Sequence, residues 1–272
     1  MVKDFTEEFN RILNLLKTDE SFSFVRFSDG EVTILKNQPV VLANNYFIQG
    51  DLHGDTKNHV PEGTYNKEEQ KEFLPEKHSF FHKKLKDSFL HRQNNYIKGI
   101  PAQNCLDRGL SWRFCLDLHS SDDVSDLSFA NVMINNNYKR FISEMIPVFM
   151  SKKIILVANE NSNFENIPFK IEKFFPVGSN CMVNNYYLVD EINEWIQDQS
   201  ISNHLFLFCA ASLSNLLGHK LYENNPNNQY LDIGSSLGPL LGLTGWMTTR
   251  TYLNAYWNNP QNPPNQEIDL WN

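Results

Sequence analysis

Asp29 and Glu31 flank Gly30 just past a short apolar run, FSFVRFSDGEVTIL (22–35), with Arg26 close upstream. Two carboxylates one residue apart on a tight turn can hold one hard divalent cation, and a glycine between them lets backbone approach a ligand closely. Phe22, Phe24 and Val25 read as a buried strand that ends at Arg26, where the turn residues Ser28-Asp29-Gly30 stop it. The acids would then stand past a strand's carboxyl end, the edge at which open α/β sheets bind ligands. D-G-E is also a common solvated turn, so the tripeptide needs support from the rest of the chain.

Other expected strand ends carry small or polar residues: Ala102-Gln103-Asn104, Asn135-Asn136-Asn137, Asn159-Glu160-Asn161, Ala210-Ala211-Ser212 and Asp232 with Gly234-Ser235-Ser236. In parallel strands these ends share one edge, where helix amino termini offer N–H groups to phosphate. Helix capping alone would call for the same residue types. YLDIGSSLG (230–238) mimics the strand-Asp-x-Gly opening of S-adenosylmethionine sites, yet that motif normally begins its domain and only a tail follows here. GDLHGD (50–55), with His59 nearby, could bind metal or act in acid/base chemistry, or be a solvated loop. No G-x-S-x-G elbow, Walker loop, H-E-x-x-H or Cys/His couple stands in a supporting context, and G-x-G-x-x-G is missing.

The elements that would position these groups alternate. Helix 3–17 carries Phe5, Phe9, Ile12, Leu13 and Leu16 at helical spacing. Strands are expected at 22–26, 95–100, 130–135, 153–158, 204–209 and 229–233, with a short edge strand at 174–177. Helices are expected at 76–91, 105–118, 137–149, 184–198 and 212–224, and a short one from Ser235. This order implies one Rossmann-like, doubly wound, mainly parallel sheet flanked by helices, a single α/β domain over 1–272. The polar stretch 38–75 is too long for an inert loop and reads as an active-site or acceptor-side insertion. The Asn/Pro-rich tail from about 245 reads as a surface wrap.

The 272 residues carry a formal net charge of −8, which argues against a nucleic-acid or anionic-membrane surface. No apolar stretch is long enough to span a bilayer, and the amino-terminal helix is amphipathic rather than a signal peptide. The four cysteines are widely spaced without a C-x-x-C pair, as expected of buried thiols in a reducing compartment. A cytoplasmic protein is the expectation.

F-x-F-V-R-F-S-D-G-E resembles the R-F-G-D-G-E signature of GT-D-type glycosyltransferases, bacterial and viral enzymes with a Rossmann-like fold. N-V-M-I-N, L-F-x-A-A-S and D-I-G-S-S-L look like that family's later landmarks, so the resemblance spans most of the chain, with 38–75 least familiar. Ser28 stands where the family commonly has glycine. The resemblance implies hexosyl-type transfer from a nucleotide-diphosphate sugar, a UDP-sugar first, to a glycan, glycoprotein or glycolipid acceptor. Carried over by motif position, Asp29 and Glu31 become the pair that holds Mn2+ or Mg2+ and the diphosphate, with Arg26 a supporting cation. Ser28, Gly30, Asn135, Ser212, Asp232, Gly234 and Ser235 become donor-side contacts. Asp51, Asp55, Asp107 and Glu160 stand as alternatives for a general base, and homo-oligomerisation is left open, as is the host cytoplasm if the protein is viral. The competing readings are an S-adenosylmethionine-dependent methyltransferase using Asp232 and Gly234, and a non-catalytic carbohydrate-binding protein.

Overall fold

The computed structural model describes residues 3–50, 57–103, 107, 109–244 and 253. Helix α1 (Phe5–Lys17) starts at Asp4, whose carboxylate accepts the N–H groups of Thr6 and Glu7, and it buries Phe9, Ile12, Leu13 and Leu16 along one face. Strand β1 (Phe22–Arg26) and helix α2 (Asp29–Leu35) follow. Next come β2 (Val40–Leu42), β3 (Tyr46–Gln49), β4 (Lys57–His59) and β5 (Lys71–Phe73). Helix α3 (Ser79–Leu90), β6 (Tyr96–Ile100), α4 (Leu110–His119) and β7 (Leu127–Phe129) lead to a 3-10 turn at Asn135–Asn137. From there α5 (Tyr138–Arg140) runs through a π-helical segment, Phe141–Met145, into α6 (Ile146–Phe149). The order closes with β8 (Ile154–Asn159), β9 (Ile171–Val177), α7 (Cys181–Asn184), α8 (Leu188–Asp198), β10 (Leu205–Phe208), α9 (Leu213–Asn224), β11 (Gln229–Asp232) and a 3-10 turn at Gly234–Leu237.

Seven strands form a wholly parallel sheet in the order β7-β6-β1-β11-β10-β8-β9. The chain starts at the centre with β1, moves out to β6 and β7, crosses to β8 and β9, and returns through β10 to β11. The first and last strands are therefore neighbours, with Phe24 paired to Leu231 on one side and Ile97 on the other. Side chains alternate across the sheet as the two-residue period requires. Phe22, Phe24, Leu156, Leu207 and Leu231 pack in one core with α1 and the 138–149 helical run. Val25, Ile155, Phe206 and Tyr230 pack in the other with residues of α3, α8 and α9. Helix α9 lies hard against β1: a Cβ on Gly218 would fall 2.4 Å from Val25 Cγ1, and Ser23 Oγ donates to Gly218 O at 2.9 Å. Among the described residues no helix is long and apolar enough to cross a membrane.

Three local expectations change. The apolar run at 130–135 is not a strand. Strand β7 stops at Phe129, and Val132 and Ile134 are buried on turns closed by Val132 N–H to Phe129 O and Ile134 N–H to Asn131 O. Asp29-Gly30-Glu31 is not an isolated turn but the first turn of α2. The 38–75 stretch holds its own antiparallel sheet, in the order β4-β3-β2-β5. Of the tail, only Leu253 is described, and it is buried in the α1-side core. Asp51, His53, Asp55, Asn104 and Cys105 lie outside the described residues.

Candidate active site

The return of the chain to the sheet centre brings Arg26 beside Asp232, 206 residues apart. Arg26 Nε lies 3.3 Å from Asp232 Oδ1, its backbone N–H donates to Oδ2 at 3.2 Å, and Nη1 donates to Ala130 O at 3.2 Å. The guanidinium lies flush against Gly234: at φ +50° a Cβ there would sit 1.8 Å from Nη2. Glycine is required at that point for both its left-handed backbone and its missing side chain. Asp232 is 2% exposed, and burial pushes its carboxyl up to about 6; Arg26 opposes the rise and Glu31 adds to it. Desolvation outweighs the arginine. Asn215, on α9, donates from Nδ2 to Arg26 O at 2.8 Å, and its buried Oδ1 finds no partner among the described residues.

A second cluster forms at the start of α2. Ser28 is the cap residue, at φ −82°, so the serine needs no left-handed backbone. Glu31 completes a capping box by accepting the Ser28 N–H at 3.1 Å through Oε2. Its Oε1 accepts Ser212 Oγ at 2.6 Å, from the loop that opens α9. Both residues are buried, Glu31 at 7% and Ser212 at 2% exposure. Asp29, two residues earlier on the helix, is exposed, and its Oδ2 accepts Gln49 Nε2 at 3.3 Å. The two carboxylates therefore have different environments: Glu31 is buried and bonded through both oxygens, and Asp29 is exposed and bonded to Gln49.

A cation overlooked in the sequence completes this edge. A Cβ on Gly30 would meet Lys71 Nζ at 2.8 Å, so the ammonium of β5 rests directly on the Gly30 backbone. Strand β5 is docked there by Asn180, whose N–H donates to Gln70 O at 2.9 Å and whose Oδ1 accepts the Glu72 N–H at 3.1 Å. A cleft lined by Lys71, Phe73, Gly178, Asn180, Met182 and Ser212 opens beside it. Lys71 and Gln49 both come from the polar insertion and carry no local signal in sequence.

The remaining candidates are more dispersed. Asn135 is buried at φ +54°, in a segment tied to the same end by the Tyr138 hydroxyl, which donates to Ser236 O at 3.1 Å. Ser235 is half-buried in the last 3-10 turn. Asp107 accepts the Ser111 N–H at 2.8 Å and so anchors the start of α4. Glu160 is exposed at the end of β8, with Oε1 3.7 Å from where a Cβ on Gly178 would lie.

Two solved structures share this architecture. A selenomethionine-substituted structure of domain of unknown function 1792 (DUF1792) overlays with a TM-score of 0.51, at 12% identity, over 89% of this chain and 85% of its own. A second structure, described as showing that the highly conserved DUF1792 domain has a distinct glycosyltransferase fold, overlays with a TM-score of 0.50 at the same identity and coverage. The chain has that glycosyltransferase fold. At 12% identity the likeness is one of fold, and no family model and no curated protein matches the sequence.

Proposed function

We propose that the protein is a glycosyltransferase that takes a sugar from a nucleotide-diphosphate donor, a UDP-sugar first, and passes it to a glycan, glycoprotein or glycolipid acceptor. The observation that carries this reading is the placement, at the carboxyl edge of β1, of the exposed Asp29 on the first turn of α2 and of the Lys71 ammonium against the Gly30 backbone.

The residues fit a divalent cation unequally. Asp29 offers a solvent-facing carboxylate, and Mn2+ or Mg2+ commonly binds through one or two carboxylates plus substrate phosphates. Glu31 spends its oxygens on the Ser28 N–H and Ser212 Oγ, so its part is to hold α2 and the α9 loop together behind Asp29. When bound, such an ion supplies Lewis-acid neutralisation of the departing diphosphate. Lys71 adds a second positive charge where negative charge develops as the bond from the sugar to the diphosphate breaks. Arg26, held by Asp232 and Ala130 O, shapes the wall beside Gly234. The apolar side of the cleft, Phe73 and Met182, would exclude water from the reacting sugar.

The methyltransferase alternative needs open backbone at Gly234 for its cofactor, and the Arg26 guanidinium fills that space. The deciding assay incubates the protein with a panel of nucleotide sugars and Mn2+ and measures release of free nucleoside diphosphate. Turnover of a UDP-sugar supports the proposal. Absence of turnover across the panel, together with heat on titration with S-adenosylmethionine, would replace it.

A further inference from the structure

At the opposite edge of the sheet, α3 and α9 end side by side around three side chains able to ligate metal. His219 and Glu223 stand one turn apart on α9, so both project from one helix face. His91 is the residue that terminates α3. The imidazoles of His91 and His219 lie with centroids 4.5 Å apart at 49°, and the ligand atoms of all three residues fall within 4.8 Å of one another. His219 is 4% exposed, and its ring packs against those of His91 and Tyr96.

We infer that His91, His219 and Glu223 form a site for a divalent transition-metal ion, with zinc the ion best suited to two imidazoles and a carboxylate. Zinc ligands at about 2.0–2.1 Å from the ion stand roughly 3.3 Å apart in a tetrahedron, so the three groups must draw in by about 1.5 Å. The half-buried His91 and the exposed Glu223 have the freedom to do this, and His219 is the fixed point. Gln93 Oε1, 3.0 Å from His91 Nε2, is placed to hold that ring or to be exchanged for the ion. Two cations oppose the ion. Lys220 pairs with Glu223 at 2.5 Å, but its side chain is 31% exposed and can swing into solvent at little cost. Lys84 also acts on His219 through its charge. Once filled, the site would pin the end of α3 to α9, the helix packed on β1, and so stabilise the sheet centre from the edge remote from Asp29.

Tag-free, metal-stripped protein titrated with Zn2+ by calorimetry and by thermal melting tests this. The expected result is stoichiometric uptake with a rise in melting temperature. Glu223→Gln, at an exposed position, should weaken uptake at least about tenfold, and His219→Ala should abolish it. Asp29→Ala should take up zinc as the wild type does. No uptake at micromolar zinc, equal uptake by wild type and Glu223→Gln, or uptake lost only in Asp29→Ala would each overturn the inference.

Discussion

Replacing Glu31 in two ways separates a metal ligand from a structural acid. Glu31→Ala removes an acceptor from the Ser28 N–H and from the buried Ser212 hydroxyl. Loss of the capping interaction costs about 1 kcal/mol. Loss of the charge-assisted bond to a buried hydroxyl costs about 1.5–3 kcal/mol more. At about 2–4 °C per kcal/mol for a chain of this size, the melting temperature should fall by roughly 5–15 °C. Glutamine can occupy the same capping position, accept the Ser28 N–H and remain bonded to Ser212. Glu31→Gln should therefore melt within about 1 kcal/mol of wild type and keep most metal-dependent turnover, because the proposed site assigns the ion to Asp29. The assay pairs differential scanning fluorimetry with Mn2+-dependent release of nucleoside diphosphate. A Glu31→Gln protein that melts like wild type yet has lost all turnover would refute the reasoning and make Glu31 a direct ligand.

Other outcomes follow from the same edge. Lys71→Ala should leave the fold intact and weaken nucleoside-diphosphate binding by about 10- to 150-fold, the equivalent of one charge-assisted bond at ~1.5–3 kcal/mol; calorimetry showing unchanged affinity would remove Lys71 from the site. Gly234→Ala meets both a φ of +50° and the Arg26 guanidinium, so it should cost at least about 1–2 kcal/mol for the backbone alone, measured by chemical denaturation. The Asp232 carboxyl, ordinarily near 3.8, is raised by burial to about 6 in the fold. Between those pH values the folded state keeps a proton that the unfolded chain releases, so this group's stabilisation is full at the acid end and lost as pH rises through about 6. Asp232→Asn should flatten that part of the stability profile, and parallel profiles for variant and wild type would contradict it.

The parallel sheet was legible because its strands are apolar runs bounded by turn residues, as in 22–26 and 153–158. The small antiparallel sheet was not. Strands such as Lys71–Phe73 and Lys57–His59 are three residues long and polar, and they are set by pairing with distant partners. Val132–Ile134 misled for the opposite reason, since burial on a turn leaves the same apolar signature as burial in a strand. At the site, the D-G-E position and the strand-end Asp232 could be read locally, and S-x-x-E from Ser28 to Glu31 is a helix-start signature in plain view. What it means for Glu31 depends on Ser212, brought in by the fold from 181 residues away. Lys71 could be found only once β5 was placed over Gly30.

The central claim is that Asp29 supports metal-assisted binding of a nucleotide-sugar diphosphate. Calorimetric titration of UDP into wild type and Asp29→Ala, each with and without Mn2+, tests it most directly. The expected result is that Mn2+ tightens binding to wild type by at least about tenfold, ~1.4 kcal/mol, and has no effect on an Asp29→Ala protein that melts normally. Equal UDP affinity with and without Mn2+ in wild type, or the same Mn2+ effect in Asp29→Ala, would contradict it.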